Sequence, residues 1–185
     1  MQLSPDQAQR ALETAERLCS AAEVTEAVAR MAADITAALA RSFPLVLCVM
    51  RGSVMFAGQL LPRFEFPLEF DYLDVTRYRG ETRGGEISWK VSPGTAVAGR
   101  VVLVLDDVLD EGHTLAAVKA KLTEAGATRV WCAVFAEKDT GRSKPVKADF
   151  VGVHLPNRYV FGFGMDIGGV WRNLPEIYAV KDSDQ

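Results

Sequence analysis

The sequence predicts an α/β fold in which a mostly parallel twisted sheet is flanked by helices. Three continuous apolar runs, at 45–50, 101–105 and 130–136, have the length and composition of strands that are buried on both faces. Between these runs, the apolar residues of 24–39 and 115–125 recur at helical spacing. Strands that alternate with helices in this way favour parallel pairing, with helices covering both faces of the sheet.

The first 42 residues predict two amphipathic helices. Each helix opens with a capping box, in which a serine lies three residues before a glutamine or glutamate. The two boxes are Ser4 with Gln7 and Ser20 with Glu23. Apolar residues follow each box at helical spacing, and the first stripe continues to Leu18. The prediction for this part of the chain is therefore one helix followed directly by another.

The remaining elements are predicted from residue spacing and from turn residues. In chain order they are a helix over 54–61, a strand over 64–76 with a possible bulge, a glycine-containing polar loop over 77–86, a helix that ends at Gly126, and strands over 150–155 and 158–161. The loop over 77–86 contains three glycines, at 80, 84 and 85. Glycine-rich polar segments of this kind are typical of exposed loops.

Composition and charge limit the classes of function. The 185 residues are 49% hydrophobic, which is enough for one buried core. A net charge of −3 gives no general attraction to nucleic acid. No apolar segment approaches the ~20 residues that span a bilayer, and the N-terminus lacks the pattern of a secretory signal. With three widely spaced cysteines in apolar runs, we expect a cytoplasmic protein with buried thiols, without nucleic-acid or membrane partners.

The residues from Val101 to Thr114 carry the strongest functional signal. An apolar strand is followed by Asp106 and Asp107, and the turn from Asp110 to Thr114 then opens a helix. Parallel α/β sheets bind ligands at the carboxyl ends of their strands, and a helix N-terminus presents free amides to an anion such as phosphate. A solvated strand end with a helix cap would explain the acidic pair. It would not explain Asp110 and the Gly-x-Thr that follows it.

This stretch resembles the phosphoribosyl-pyrophosphate-binding signature of type I phosphoribosyltransferases. The chain from about Leu45 to Val180 is similar to the hypoxanthine-guanine branch of that family. The resemblance implies a Mg²⁺-dependent transferase that joins a 6-oxopurine base to the ribose 5-phosphate of phosphoribosyl pyrophosphate. It also implies a single domain over 1–185, with a mobile lid loop over 77–86 and a small base-binding hood that includes 155–185. A homodimer or homotetramer is the expected assembly.

The resemblance also implies the roles of individual residues in the signature. Asp106 and Asp107 match the acidic pair that holds the ribose hydroxyls and the metal. Asp110 matches the carboxylate near purine N7 and is the candidate general base and acid. The turn that matches the cradle of the 5′-phosphate comprises Asp110, Glu111, Gly112, His113 and Thr114.

Residues elsewhere in the chain match the remaining contacts of the family. Arg51 and Gly52 match the pyrophosphate loop, whose preceding peptide is cis in the family, and Arg172 matches a second pyrophosphate contact. The further matches are Lys138, Tyr159, Val160 and Asp166 for the purine base, Arg77 and Tyr78 for the lid, and Asp106, Asp107 and Asp166 for the metal.

Lys138 explains how such a site would select its base. An ammonium group donates hydrogen bonds and cannot accept them, so it suits a 6-oxo group and not the 6-amino group of adenine. The chain departs from the family pattern at Glu111, where threonine or serine is usual, and at Arg77, where serine usually precedes the tyrosine. Because a carboxylate beside a phosphate is unfavourable unless it points away, we expect a functional site of altered affinity.

Two other functions stay open on the sequence alone. One is a xanthine-preferring phosphoribosyltransferase, because side chains do not reveal the contact to the purine 2-position. The other is a pyrimidine-operon RNA-binding regulator on the same fold. The acidic net charge and the base-recognition segment over 159–172 argue against the regulator.

Overall fold

The computed structural model describes residues 3–77 and 87–181. The helices are α1 (Pro5–Thr14), α2 (Ala21–Leu39), α3 (Val54–Leu60) and α4 (His113–Glu124), with a 3₁₀ turn at Leu61–Arg63. The strands are β1 (Glu16–Cys19), β2 (Leu45–Met50), β3 (Glu69–Arg77), β4 (Ile87–Val91), β5 (Val101–Leu109), β6 (Arg129–Asp139), β7 (Phe150–Pro156), β8 (Val160–Phe161) and β9 (Ile177–Ala179).

The main sheet has six strands in the order β4-β3-β2-β5-β6-β7. All of its neighbouring strands are parallel except β4, which runs antiparallel to β3 at the edge. In the two central strands, residues 45–49 of β2 and 102–106 of β5 are buried, as expected of strands that are covered on both faces. The predicted fold class, a mostly parallel sheet flanked by helices, is confirmed.

Two apolar clusters cover the two faces of this sheet. On one face, α2 buries a stripe of Val24, Ala27, Val28, Met31, Ala32, Ile35 and Leu39. On the other face, α4 buries Leu115, Val118 and Leu122. The capping boxes that open α1 and α2 both form, with Ser4 accepting from the Gln7 amide at 3.3 Å and Ser20 accepting from the Glu23 amide at 3.3 Å. None of the helices in the described ranges is long and apolar enough to cross a bilayer.

A smaller sheet, with the strand order β1-β9-β8, shares an apolar cluster with the main sheet. We call this sheet, together with the connection over 162–176, the hood. The prediction of two consecutive helices over the first 42 residues is wrong at this point. Helix α1 ends at Thr14, because Ala15 is extended (φ −67°, ψ 153°), and Glu16–Cys19 pairs antiparallel with Ile177–Ala179. The partner strand lies near the other end of the chain, so helical spacing in the local sequence carried no sign of it.

Other differences concern the lengths of strands. The strand predicted over 64–76 begins at Glu69, after Pro67, and its register with β4 shifts between Asp74 and Val75, as the expected bulge requires. Strand β5 continues beyond Leu105 to Leu109, because its end pairs with β6, which also continues past its predicted end. Strands β4 and β9 were not predicted at all.

The hood rests on the main sheet through aromatic rings. Phe163 of the hood lies 4.4 Å from the ring of Phe135 in β6, and Phe135 also contacts Phe56 of α3 at 5.7 Å. All three side chains are fully buried. The hood therefore shares one apolar cluster with the face of the main sheet that α2 covers.

Replacing Phe135 with alanine should remove the centre of this cluster. We expect Phe135→Ala to lower the free energy of unfolding by about 3–5 kcal/mol, the usual cost of deleting a buried aromatic ring. The matched control is Phe43→Ala, which removes a half-exposed ring that contacts the Arg100 guanidinium, a contact of about 0.5–1 kcal/mol. Denaturant titration measures both losses, and equal losses would contradict the described packing.

Candidate active site

A cavity of about 790 Å³ opens at the carboxyl ends of the parallel strands, where ligands of such sheets bind. Its walls come from the ends of β2, β3 and β5, from the start of α4 and from the hood. The residues predicted from the sequence that line it are Arg51, Gly52, Asp106, Asp107, Asp110, Glu111, Gly112, His113, Thr114, Asp166 and Arg172. Residues from separate parts of the chain thus converge on one space.

The acidic pair at the end of β5 lies at the base of the cavity. Asp106 is 9% exposed, and its Oδ1 accepts the Asp107 amide at 3.0 Å. Burial raises the pKa of Asp106 well above its ordinary value, and the neighbouring charge of Asp107 adds to the rise. Burial also raises the pKa of Asp107, although a hydrogen bond with Asp106 and the Arg172 guanidinium oppose the rise. The pair therefore favours a ligand that supplies positive charge.

Two glycines allow the backbone to approach this pair closely. A β-carbon on Gly52 would lie 1.9 Å from Oδ2 of Asp107, and one on Gly164 would lie 2.0 Å from the Gly52 carbonyl oxygen. Both distances are impossible for a real side chain, and Gly164 also has a φ of 100°. The peptide between Met50 and Arg51, just before Gly52, is cis. The loop after β2 is thus held between the hood and the carboxylates.

The turn after β5 presents the N-terminus of α4 to the cavity. Gly112 adopts a φ of 83° and directly precedes the first helical residue, His113. The first amides of a helix have no partner within it, and the partial positive charge of the N-terminus favours an anion. His113 and Thr114 also line the cavity. This geometry suits a phosphate group.

Arg172 and Asp166 form the hood side of the cavity. Arg172 donates to the Gly164 carbonyl at 2.6 Å, forms an ion pair with Asp166, and lies 4.0 Å from Oδ2 of Asp107. The second carboxylate oxygen of Asp166 accepts the Gly169 amide at 2.7 Å. Asp166 is therefore already bonded through both oxygens. Asp106 and Asp107, by contrast, each accept a backbone amide through Oδ1.

The residues expected to bind the base lie beside this space. The Lys138 ammonium forms an ion pair with Asp110 at 2.9 Å, with side chains that are 12% and 47% exposed. The Tyr159 hydroxyl donates to the Asp166 carbonyl at 3.3 Å, and Val160 is buried in the apolar cluster. The described residues that line the cavity do not include Lys138, Tyr159 or Val160. Lys138 and Tyr159 adjoin it through Asp110 and Asp166.

Some residues that line the cavity were not predicted from the sequence, and some predicted residues lie outside the part of the chain that the structure describes. Asn157, which follows β7, lines the cavity; its position just after a predicted parallel strand could have indicated it. The apolar residues Val49, Val75 and Leu115 also contribute to the wall, and their sequence context gave no such sign. Arg77 ends β3, while Tyr78 and the rest of the predicted lid over 77–86 lie outside the described residues.

The carboxylates in the cavity fit a cation that is bound jointly by the protein and by a ligand. Within residues 3–77 and 87–181, no cluster of three or more histidine, cysteine or acidic side chains could enclose a metal ion by itself. Mg²⁺ is usually bound by one or two carboxylates, several waters and substrate phosphates. The adjacent carboxylates of Asp106 and Asp107, at the base of an open cavity, match that requirement.

Comparisons with known proteins agree with this geometry. A family model described as the phosphoribosyl transferase domain matches residues 15–167. A hypoxanthine-guanine phosphoribosyltransferase of Lactococcus lactis is 35% identical, with 89% of this chain and 90% of that protein covered. One of Bacillus subtilis is 32% identical, with 89% and 92% covered. The crystal structure of a hypoxanthine phosphoribosyltransferase from Staphylococcus aureus superposes with a TM-score of 0.85 at 26% identity, covering 91% of this chain and 92% of that one. The chain therefore belongs to the phosphoribosyltransferase family, in its hypoxanthine-guanine branch.

Proposed function

We propose that this chain is a purine salvage enzyme that transfers ribose 5-phosphate from phosphoribosyl pyrophosphate to hypoxanthine or guanine. The products are inosine or guanosine 5′-monophosphate and pyrophosphate. The observation that carries the proposal is the convergence of an acidic pair, a helix N-terminus and Arg172 on one cavity. The substrate has a phosphate at one end of a ribose and a diphosphate at the other, which such a cavity can bind at both ends.

The two anionic ends of the substrate have separate partners in this proposal. The amides at the start of α4, together with Thr114, bind the 5′-phosphate. Arg172 and Arg51 also line the cavity and bind the pyrophosphate. Between them, Asp106 and Asp107 accept hydrogen bonds from the ribose hydroxyls. The sugar is thereby oriented with its anomeric carbon towards the base.

We also propose that Asp106 and Asp107 hold Mg²⁺ together with the substrate. When bound there, the ion would neutralise negative charge that collects on the departing pyrophosphate. The support from this chain is the raised pKa of both carboxyls, since burial and mutual repulsion make an unneutralised pair unfavourable. Asp166 is the third candidate ligand, although Arg172 and the Gly169 amide already bond its carboxylate.

Asp110 and Lys138 are proposed to recognise and activate the base. In the transfer, purine N9 forms a bond to the anomeric carbon as the bond to the pyrophosphate oxygen breaks, and the N7 proton passes to Asp110. Lys138 can keep its ion pair with Asp110 and still donate to the 6-oxo group, because an ammonium has three protons. Tyr159 would stack on the base, and the Val160 backbone would read its edge.

Neither alternative function is favoured. The curated relatives described above are named for hypoxanthine and guanine, which does not favour a xanthine-preferring transferase. The net charge of −3 does not favour an RNA-binding regulator.

The subunit number and cellular location complete the proposal. We expect a homodimer or homotetramer, because Phe70 and Tyr72 are about half exposed on one face of β3. Burying such rings between subunits would stabilise an assembly, and sedimentation equilibrium measures the subunit number. All three cysteines are buried free thiols, which suits the reducing cytoplasm.

A transfer assay with separate bases tests the proposed function directly. Purified protein, phosphoribosyl pyrophosphate and Mg²⁺ are offered hypoxanthine, guanine, xanthine, adenine or uracil, and pyrophosphate release is measured. We expect turnover with hypoxanthine and guanine and little with adenine, because the Lys138 ammonium cannot accept a hydrogen bond from a 6-amino group. Turnover with uracil alone would overturn the purine assignment.

Replacing Asp110 with asparagine tests its part in proton transfer. We expect Asp110→Asn to lower kcat by about 10²–10⁴-fold, the usual contribution of a general acid or base, while the KM for phosphoribosyl pyrophosphate changes little. The matched control is Asp139→Asn, which removes the same charge from an exposed carboxylate one residue after Lys138. Undiminished kcat in Asp110→Asn would remove Asp110 from the mechanism.

The stability of the metal-free protein should depend on Asp106 in a pH-dependent way. Its folded pKa lies above the ordinary value of 3.8, so between the two values the folded state keeps a proton that the unfolded state has released. Stability therefore falls as pH rises through this window and stays low above it. We expect Asp106→Asn to unfold at a higher temperature than wild type at neutral pH, with the difference disappearing towards about pH 4.

Asp71 provides a control, because its pKa is shifted in the opposite direction to that of Asp106. Burial would raise its pKa, but hydrogen bonds from the Thr95 and Tyr72 amides, at 2.8 and 2.7 Å, lower it below the ordinary value of 3.8. Its contribution to stability is present at neutral pH and is lost as pH falls through the folded pKa. Asp71→Asn should therefore lower the unfolding temperature at neutral pH. If both variants shift in the same direction, the assigned electrostatics of Asp106 are wrong.

A further inference from the structure

Lys144, in the connection between β6 and β7, has an unusual environment for a lysine. Its side chain is 10% exposed, and its ammonium donates to the carbonyl oxygens of Leu109 and Lys138, at 3.1 and 2.6 Å, and to the Glu137 carboxylate at 3.0 Å. An ammonium has three protons, so each one has a partner. A lysine that is mostly buried and fully bonded holds a fixed position.

The acceptors of Lys144 lie where the main sheet stops fixing the backbone. Leu109 and Glu137 are the last residues paired between β5 and β6. The Leu109 carbonyl belongs to the peptide that leads into Asp110, and the Lys138 carbonyl belongs to the peptide that follows Lys138. Lys144 therefore fixes one peptide beside each member of the Asp110–Lys138 ion pair.

The segment that carries Lys144 is anchored independently of its ammonium. Val146 is buried in the apolar cluster beneath α4, and its side chain lies 3.3 Å from the position of a β-carbon on Gly112. Removing the ammonium should therefore leave the course of the chain unchanged. The change would fall on the two carbonyls and the carboxylate that lose their donor.

We propose that Lys144 is a positioning residue for purine binding, which fixes the distance and orientation between Asp110 and Lys138. The proposal rests on the proposed function, in which these two side chains bind the base. Lys144 is not among the described residues that line the main cavity. It lines an adjoining cavity, and its three protons are already bonded to protein acceptors, so it acts through its neighbours. Small displacements matter at such a site, since a misplacement of about 1 Å can cost roughly 100-fold in rate.

The test is the variant Lys144→Met, which keeps most of the unbranched apolar side chain and removes its three donors. We expect kcat/KM for hypoxanthine to fall about tenfold, within the range that misplaced groups can cost, mainly through a higher KM for the base. The KM for phosphoribosyl pyrophosphate should change much less. Lys144→Gln, which keeps an amide donor on a shorter side chain, should show the same split and is measured in parallel in case the methionine variant does not fold.

Two control variants separate positioning from general stability. Glu137→Gln removes the charge of the ion pair while leaving the bonds from Lys144 to both carbonyls, so we expect nearly wild-type kinetics. Arg30→Met removes another cation that donates to a backbone carbonyl, that of Gly152 at 2.5 Å, away from the cavity. It should lower the unfolding temperature without changing either KM.

The outcomes distinguish the two proposals. If the wild type is active and the Lys144 variants lose only thermal stability, as Arg30→Met does, Lys144 is structural and the inference is wrong. If the KM for both substrates rises equally, the inference is also wrong, because the effect is not specific to the base. A folded wild type that transfers ribose 5-phosphate to none of the bases would refute the proposed function, and the role of Lys144 would fall with it.

Discussion

Two neighbouring carboxylates at the end of a buried strand determine how the rest of the site is built. Asp106 and Asp107 are held in place because β5 continues beside β6 to Leu109. Their burial raises the pKa of both groups, and the Arg172 guanidinium, 4.0 Å from Asp107, offsets this only in part. The ionised pair is therefore unfavourable in the free protein, and we propose that a bound cation and the hydroxyls of the substrate offset this cost. Gly52 is required beside it because any side chain there would overlap the Asp107 carboxylate.

The parts of the site that follow from residue spacing, without the family resemblance, lie close together in the chain. Strand β5, its acidic pair, the turn with Gly112 and the start of α4 form one continuous segment, so their spacing fixes their geometry. The long-range pairing of β1 with β9 could not be predicted in this way, because each strand is short and its partner lies at the opposite end of the chain. Lys144 was missed for a related reason: a single lysine in a polar loop is usually solvated, and its three acceptors come from two separate strands.

The side of the site that we propose for base recognition depends on contacts more distant in the chain than the side that we propose for the 5′-phosphate. Asp110 and Lys138 come from the ends of different strands and meet at 2.9 Å, and Lys144 bonds to the backbone beside both. Arg172 connects Gly164 and Asp166 of the hood to Asp107 of the acidic pair. The Gly164 backbone, in turn, packs against Gly52. The hood and the main sheet thus have to be correctly packed before the base side of the cavity takes shape.

The central claim is that Asp106 and Asp107 together form the centre of a binding site for phosphoribosyl pyrophosphate. Isothermal titration of phosphoribosyl pyrophosphate in the presence of Mg²⁺ tests it without requiring catalysis. The wild type should bind one molecule per chain, and the double variant Asp106→Asn/Asp107→Asn, shown by circular dichroism to be folded, should bind at least about tenfold more weakly, since a lost charged contact costs ~1.5–3 kcal/mol. Equal affinity of the two proteins would contradict the account.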